Sequence, residues 1–336
     1  MAQTMSDTTS SQHIEPESLD ALQAIAAGVF ARHGVDFATV RRGGGWTNAV
    51  WLADGLVLRL CTVEGRDNLL RETRLAALFP PGVGYPALVE AGTTDRHAWT
   101  LARRLPGVCL GEAWDGLTWD ERTSALRGLW DRAQAVHAVP VAEAAAIAPT
   151  RAWFNSNDAA EAEAGLAQLT AQGILTPQQA GVLRETLARF WEAEAGAPRV
   201  LCHGDLTLDN AMAHAGQVIG LLDFEYALMA PVQLDLNHLV KAAYGPADAT
   251  QAPSPADRRG AERLQQAVAE LARPLLALPG EKALLMGYAI LLELWLLELW
   301  LAHPEGEGPL EQWEPLQRLR SLADGAGGFL ASLLGC

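Results

Sequence analysis

A chain of 336 residues, 49 % of them apolar, is long enough for two domains with a sizeable core and too apolar to be disordered. The formal net charge of −15 is uneven: residues 1–110 hold 10 basic and 11 acidic side chains, residues 111–336 hold 15 and 29. That acidic second half repels phosphate backbones and argues against a nucleic-acid partner; it would attract a cationic small molecule, and it serves solubility equally well. Cys61, Cys109, Cys202 and Cys336 are widely spaced, with no C-x-x-C pair, and read as reduced thiols of a cytoplasmic protein.

In chain order, residues 1–13 are polar, with neither a basic start nor an apolar run, and read as a frayed, disordered terminus rather than a signal peptide. Leu19, Leu22, Ile25, Ala26 and Val29 set helical spacing over 14–33, and Gly34 ends it. The period then changes. Val40–Arg42, Ala49–Ala53 and Gly55–Cys61 read as strands, with Asp54-Gly55 as a hairpin turn. Residues 66–79 return to helical spacing until Pro80, Pro81 and Gly82 stop them, and Leu88–Ala91 and His97–Ala102 read as two further strands. Residues 1–105 are thus expected to form a small lobe, a sheet with one helix inserted, joined through Arg103–Gly107 to a second lobe over 106–336. The second lobe reads as mainly helical, over 118–138, 157–172, 177–195, 232–243, 256–275, 279–302 and 310–334, with a loop at 245–256 and one β-like interruption at 199–226. Ala283–Leu301 has the length of a membrane span, but Glu293 and Glu298 interrupt it, at about 3 kcal/mol each in lipid. A buried helix of a soluble domain, without a membrane partner, is the expectation. Those two carboxylates could line an acceptor pocket, face solvent or pair with an Arg.

The interruption carries the chemistry. Val200-Leu201-Cys202-His203-Gly204-Asp205-Leu206-Thr207-Leu208-Asp209-Asn210 is followed by Ile219-Gly220-Leu221-Leu222-Asp223-Phe224-Glu225. A ribbon of Ala211–Ala213 and Gln217–Leu222, turning at His214–Gly216, would bring Asn210 beside Asp223. An amide and a carboxylate supply the oxygen ligands that suit magnesium on a nucleoside triphosphate, and Asp205 would receive or orient a hydroxyl. Read singly, Asp205 and Asn210 are turn formers; the spacing to Asp223 and the flanking strands set them apart. His203 reads as a brace rather than a base, Asp209 as solvated, and Glu225 as a further metal-site carboxylate or a helix start.

Together these motifs, HGDLTLDN and LLDFE, resemble the aminoglycoside phosphotransferase family of small-molecule kinases, to which choline, homoserine and fructosamine kinases are related. The resemblance covers nearly the whole chain. It implies an α+β, two-lobed protein-kinase-like fold: a small N-terminal antiparallel sheet lobe that binds nucleotide, and a larger, mainly helical C-terminal lobe that carries catalysis and acceptor binding. It implies Asp205 as the catalytic residue, Asn210 and Asp223 as magnesium ligands, and Asp235 as a buried anchor of the catalytic loop. It also implies a phosphate turn at Arg42-Gly43-Gly44-Gly45-Trp46-Thr47-Asn48, in which Gly43, Gly44, Gly45 and Asn48 face the nucleotide; a plain hairpin is the alternative. The family places a basic residue on the third strand. The chain has only two lysines, Lys241 and Lys282, so Arg59 takes that place, with Glu72 as its partner. The activity implied is transfer of a phosphate from ATP or GTP to the hydroxyl of a small-molecule acceptor, with cationic ones such as an aminoglycoside or amino alcohol among the candidates. A non-catalytic nucleotide-binding module and nucleotidyl transfer from the same cradle are the alternatives.

Overall fold

In the computed structural model the described residues are 19–44, 48–61, 66–94, 96–151, 158–244, 254–302, 309–325 and 327–335. The chain forms two compact units: Met1–Asp67 with Ala87–Arg104, and Asn68–Pro86 with Leu105–Cys336.

The smaller unit is an antiparallel sheet with one helix. Helix α1 (Leu19–Arg32) precedes β1 (Arg41–Arg42), β2 (Ala49–Ala53), β3 (Leu56–Cys61), β4 (Leu88–Thr93) and β5 (Ala98–Arg103), in the spatial order β1-β2-β3-β5-β4. Alternation decides which face is covered. Trp51 and Ala53 of β2, Leu56, Leu58 and Leu60 of β3 and Leu101 of β5 are buried together with Ala26, Val29 and Phe30 of α1. Arg32 and His33, at the end of α1, both bind the Glu90 carboxylate on β4, His33 at 2.7 Å. Arg32 foremost holds that carboxyl down at about 2, although burial pushes the other way.

Helix α2 (Arg66–Ala76), which belongs to the larger unit from Asn68 on, stops three residues short of the expected end, where Leu78 N bonds back to Leu75 O ahead of Pro80. A two-residue strand, β6 (Val108–Cys109), and short α3 (Leu110–Ala113) follow, then α4 (Trp119–His137), α5 (Val141–Ala145), α6 (Ala159–Ala171) and α7 (Pro177–Glu194). Capping chemistry sets the starts. Thr118 and Glu121 form a reciprocal box on α4, Thr176 and Gln179 another on α7 ahead of Pro177, and Asp158 accepts two N–H bonds at the start of α6. Next come β7 (Val200–Cys202), β8 (Ala211–His214), β9 (Gln217–Leu221) and β10 (Leu228–Ala230), with β7 pairing β10 and β8 lying between β6 and β9. Strands β6 and β10 were not expected; at two and three residues they are too short for alternation to show.

The chain ends in α8 (Gln233–Tyr244), α9 (Pro255–Ala272), α10 (Pro279–Ala302), α11 (Glu314–Ala323) and α12 (Ala331–Leu334). The single helix expected over 310–334 is broken: Gly325, Gly327 and Gly328 all take positive φ, which no helix continues through. The loop expected at 245–256 lies mostly outside the described residues. Helix α10 packs against α7, α11 and α8. Its Glu293 is fully buried and holds Lys241 of α8 at 2.8 Å and Arg318 of α11 through two bonds of 2.8 and 3.2 Å. Pairing with an Arg is thus what the structure shows for Glu293. Among the described residues Cys61, Cys109 and Cys202 are not joined to one another by disulfides.

Candidate active site

Strand β7 ends at His203-Gly204-Asp205, and the backbone there is pinned from behind. Asp235, in the first turn of α8, is fully buried; its Oδ2 accepts His203 N at 2.8 Å and its Oδ1 accepts Gly204 N at 3.0 Å. His137, in the last turn of α4, adds Nε2 at 2.9 Å to the same Oδ2. Burial alone would raise the Asp235 carboxyl; the hydrogen bond and charge of His137, with the backbone N–H groups, outweigh it and hold the carboxyl below its usual value. Asp235 is therefore the expected anchor. Gly204 sits at φ +82°, where a Cβ would lie 2.3 Å from the Tyr226 oxygen, so the loop needs glycine at that point.

His203 is a brace on both ring nitrogens. Its Nε2 donates to Leu222 O at 2.8 Å, and its Nδ1 accepts Asp205 N at 3.3 Å. A carbonyl can only accept and an amide N–H can only donate, which fixes the Nε2–H tautomer and leaves no lone pair for proton abstraction. Its ring also packs on Phe224, at 4.3 Å between centroids.

Asp205 and Asn210 meet directly. Asn210 ends a short 3₁₀ turn (Leu208–Asn210), and its Nδ2 donates to Asp205 Oδ2 at 2.8 Å and to Asp205 O at 2.9 Å. Its backbone O accepts Leu222 N at 2.8 Å, which seats it beside the residue preceding Asp223. Asp223 follows β9 with φ +61°, a left-handed turn that Asp and Asn take more readily than other side chains, at a cost of about 1 kcal/mol. The convergence shows electrostatically as well. Burial, then the negative charges of Glu225, Asp223 and Asp205, push the half-buried Tyr226 hydroxyl far above its usual range. Asp209 is exposed, as expected. Glu225 is buried, and Arg71 of α2 donates to its backbone O at 2.6 Å.

The remaining candidates stand on other elements. Glu72 on α2 is fully buried in the larger unit, and its Oε1 accepts the Tyr85 hydroxyl at 2.8 Å. Tyr85 and Phe79 pack on Phe224, at 5.7 and 4.4 Å, so aromatic side chains run from the Glu72 helix to His203. In the smaller unit Arg59 is half-buried on β3, paired in register with Val50 and Thr100. Gly43 N donates to Val50 O at 2.9 Å, Gly44 has open space around it, and Asn48 is buried at the start of β2. Gly45 lies outside the described residues. His137, Arg71, Phe79, Tyr85 and Tyr226 escaped the sequence reading. Each sits on an ordinary helix, loop or strand end far from the motif, apart from Tyr226, whose position directly after the motif was the one available signal.

The model of the phosphotransferase enzyme family matches residues 39–273. Among solved structures the chain is similar to aminoglycoside 2'-phosphotransferase-IIIa in its GDP complex, at 17 % identity over 90 % of this chain and 98 % of that one, with a TM-score of 0.67. It is similar to the GDP and kanamycin complex of APH(2")-IIia, at 16 % identity over 90 % and 97 % with a TM-score of 0.61. It is also similar to a thermostable mutant of aminoglycoside phosphotransferase APH(4)-Ia with ADP and hygromycin B, at 14 % identity over 91 % and 99 % with a TM-score of 0.58. No curated protein matches. At these identities the structures speak for the kinase-like fold alone. The family model spans both units and runs through Asp205, Asn210, Asp223 and Asp235, so the chain belongs to the phosphotransferase enzyme family and is a small-molecule kinase.

Proposed function

We propose that this kinase transfers the γ-phosphoryl group of ATP or GTP to a hydroxyl of a small molecule, with Asp205 as the catalytic residue. The bond from Asn210 Nδ2 to Asp205 Oδ2 carries the reading. It aims one carboxylate oxygen, commits the amide nitrogen, and leaves Asn210 Oδ1 with the Asp223 carboxylate as hard oxygen donors, a set that suits magnesium. A bound magnesium would neutralise charge on the nucleotide's phosphate oxygens.

The protein's own part is positioning. Asp205 orients the acceptor hydroxyl and takes its proton as the bond to phosphorus forms, and the clamp from Asp235 holds the loop still while this happens. Arg59 supplies the cation toward the nucleotide phosphates. Gly43, Gly44, Gly45 and Asn48 form the phosphate turn, with backbone N–H groups as donors. The acidic larger unit favours a cationic acceptor, and similarity to a fold seen with kanamycin and with hygromycin B makes aminoglycosides the first acceptors to test. The protein works in the cytoplasm, without a nucleic-acid or membrane partner.

The test is magnesium-dependent turnover of ATP and GTP against a panel of aminoglycosides and amino alcohols. Mass spectrometry of the product reads an added phosphate; an added nucleotide would mean nucleotidyl transfer instead. Asp205→Ala is expected to lower kcat by about 10²–10⁴-fold with nucleotide affinity within a few-fold of the parent. Asp223→Ala is expected to raise the Kd for the magnesium–nucleotide complex. Near-normal turnover by Asp205→Ala would refute the assignment.

A further inference from the structure

The larger unit holds a cavity that the catalytic loop does not use. It lies among the C-terminal end of α7, strand β10 and the middle of α10, and about 60 Å³ of it is open to the centre of a water molecule. Its floor is apolar: Phe190 of α7, Leu228 of β10 and Leu291 of α10 are at most 2 % exposed. Phe190 meets Trp191 edge-on at 4.7 Å and Tyr288 of α10 at 5.0 Å, so aromatic rings form the walls. Solvent reaches the rim, where Thr150 and Arg151 are exposed and Glu194 and Arg199 half-buried. Strand β10 is held in place beside it, paired with β7 and bonded from Met229 N to Pro149 O at 2.8 Å.

The charges at the rim are already matched. Arg199 pairs with Glu194 and donates to Met229 O at 3.0 Å, and Arg151 donates to Glu161 at 2.6 Å. The group left over is the Tyr288 hydroxyl. Tyr288 is 5 % exposed, lines the cavity and has no hydrogen-bond partner among the described residues. Burial foremost pushes that hydroxyl well above its usual range, so it stays protonated as a donor. An ionised ligand would lose its hydration between such walls with no unpaired charge to meet it. A neutral oxygen meets the donor without that cost. One water needs about 10–15 Å³ of such space, so a short carbon body fits beside the oxygen and displaces water that aromatic walls bond poorly.

We propose that this cavity binds a small uncharged carbonyl compound, an amide or ketone on a short apolar body, whose oxygen accepts the Tyr288 hydroxyl while the body lies against Phe190 and Trp191. The site goes beyond the phosphotransfer reading and does not depend on it.

Propionamide is titrated into the full-length protein and its binding followed by ligand-observed NMR, beside propionate, which has the same shape and a charge. Propionamide is expected to bind saturably with a Kd of about 1–10 mM. Propionate is expected to bind about tenfold more weakly or worse. Tyr288→Phe keeps the ring and removes only the donor, and is expected to weaken propionamide about 3–10-fold. Asp205→Ala is expected to bind it within twofold of the parent. Absence of saturable binding by the parent, propionate as tight as propionamide, or Tyr288→Phe equal to the parent would each overturn the proposal. So would loss of binding in Asp205→Ala, which would put the ligand in the catalytic cleft. Should Tyr288→Phe fail to fold, NOEs from the propionamide methyl group to the Phe190 and Trp191 rings of the parent decide the matter: their presence supports this site, and their absence at saturation overturns it.

Discussion

Side chains that touch backbone do most of the organising at this site. Asp235 spends its carboxylate on two consecutive amides and on His137, and this explains why a loop of uncommon dihedrals stays in one conformation. Charge-assisted hydrogen bonds of this kind contribute about 1.5–3 kcal/mol each, and an unpaired buried partner adds its own penalty. Asp235→Ala is therefore expected to lose at least about 3 kcal/mol of unfolding free energy in urea, with turnover falling through misplacement of Asp205. A loss below about 1 kcal/mol would show that the clamp contributes little. Asp205, Asn210 and Asp223 were legible because the chemistry demands fixed residue types at a spacing that a short ribbon can close. His137 and Tyr85 were not, because the contacts that give them meaning join residues 98 and 13 positions apart, and nothing in their local pattern differs from an ordinary helix end or loop. His203 was legible in kind, as a brace, while its two partners needed coordinates.

Among the elements, α10 shows how one charge reshapes the reading of an apolar helix. Its length and composition fit a membrane span, yet 61 % of its most apolar window is buried inside the protein, and Glu293 is tied to Lys241 and Arg318. Deleting one member of a buried ion cluster leaves the others uncompensated, at about 3–5 kcal/mol. Glu293→Ala is expected to destabilise by that amount, measured by denaturant unfolding, whereas Glu293→Ala combined with Lys241→Met and Arg318→Met should recover much of it. A harmless single variant would refute this account. Long helices were legible from their apolar period; α4 and α7 begin within one residue of the expected starts at 118 and 177. The C-terminal stretch misled because its apolar residues keep helical spacing across glycines whose φ is positive. Periodicity reports which side chains are buried and is blind to the backbone between them.

For the molecule as a whole, acid acts on the carboxylates that the fold holds below their usual range, Glu90 and Asp235 among them. In the smaller unit Glu90, held at about 2 chiefly by Arg32 against a usual 4.5, is the carboxylate most displaced. A depressed folded-state value means that its contribution is complete above about pH 4.5 and drains away as the pH falls toward 2. Glu90→Gln should flatten the loss of stability across that window and leave stability near pH 7 lower than the parent's. Identical acid curves for variant and parent would refute this.

The division of the chain itself has a practical outcome. Asn68–Pro86 belong to the larger unit and Ala87–Arg104 to the smaller, so the polypeptide crosses from one to the other three times. No single scission can therefore release either one intact. A gene truncated to start near residue 105 would discard Phe79 and Tyr85 and strip the aromatic cover from Phe224, so the fragment should come out insoluble or molten, however neatly the sequence reading places a boundary there. A functional dissection of this kinase has to add back the excised helix as a separate peptide or permute the chain.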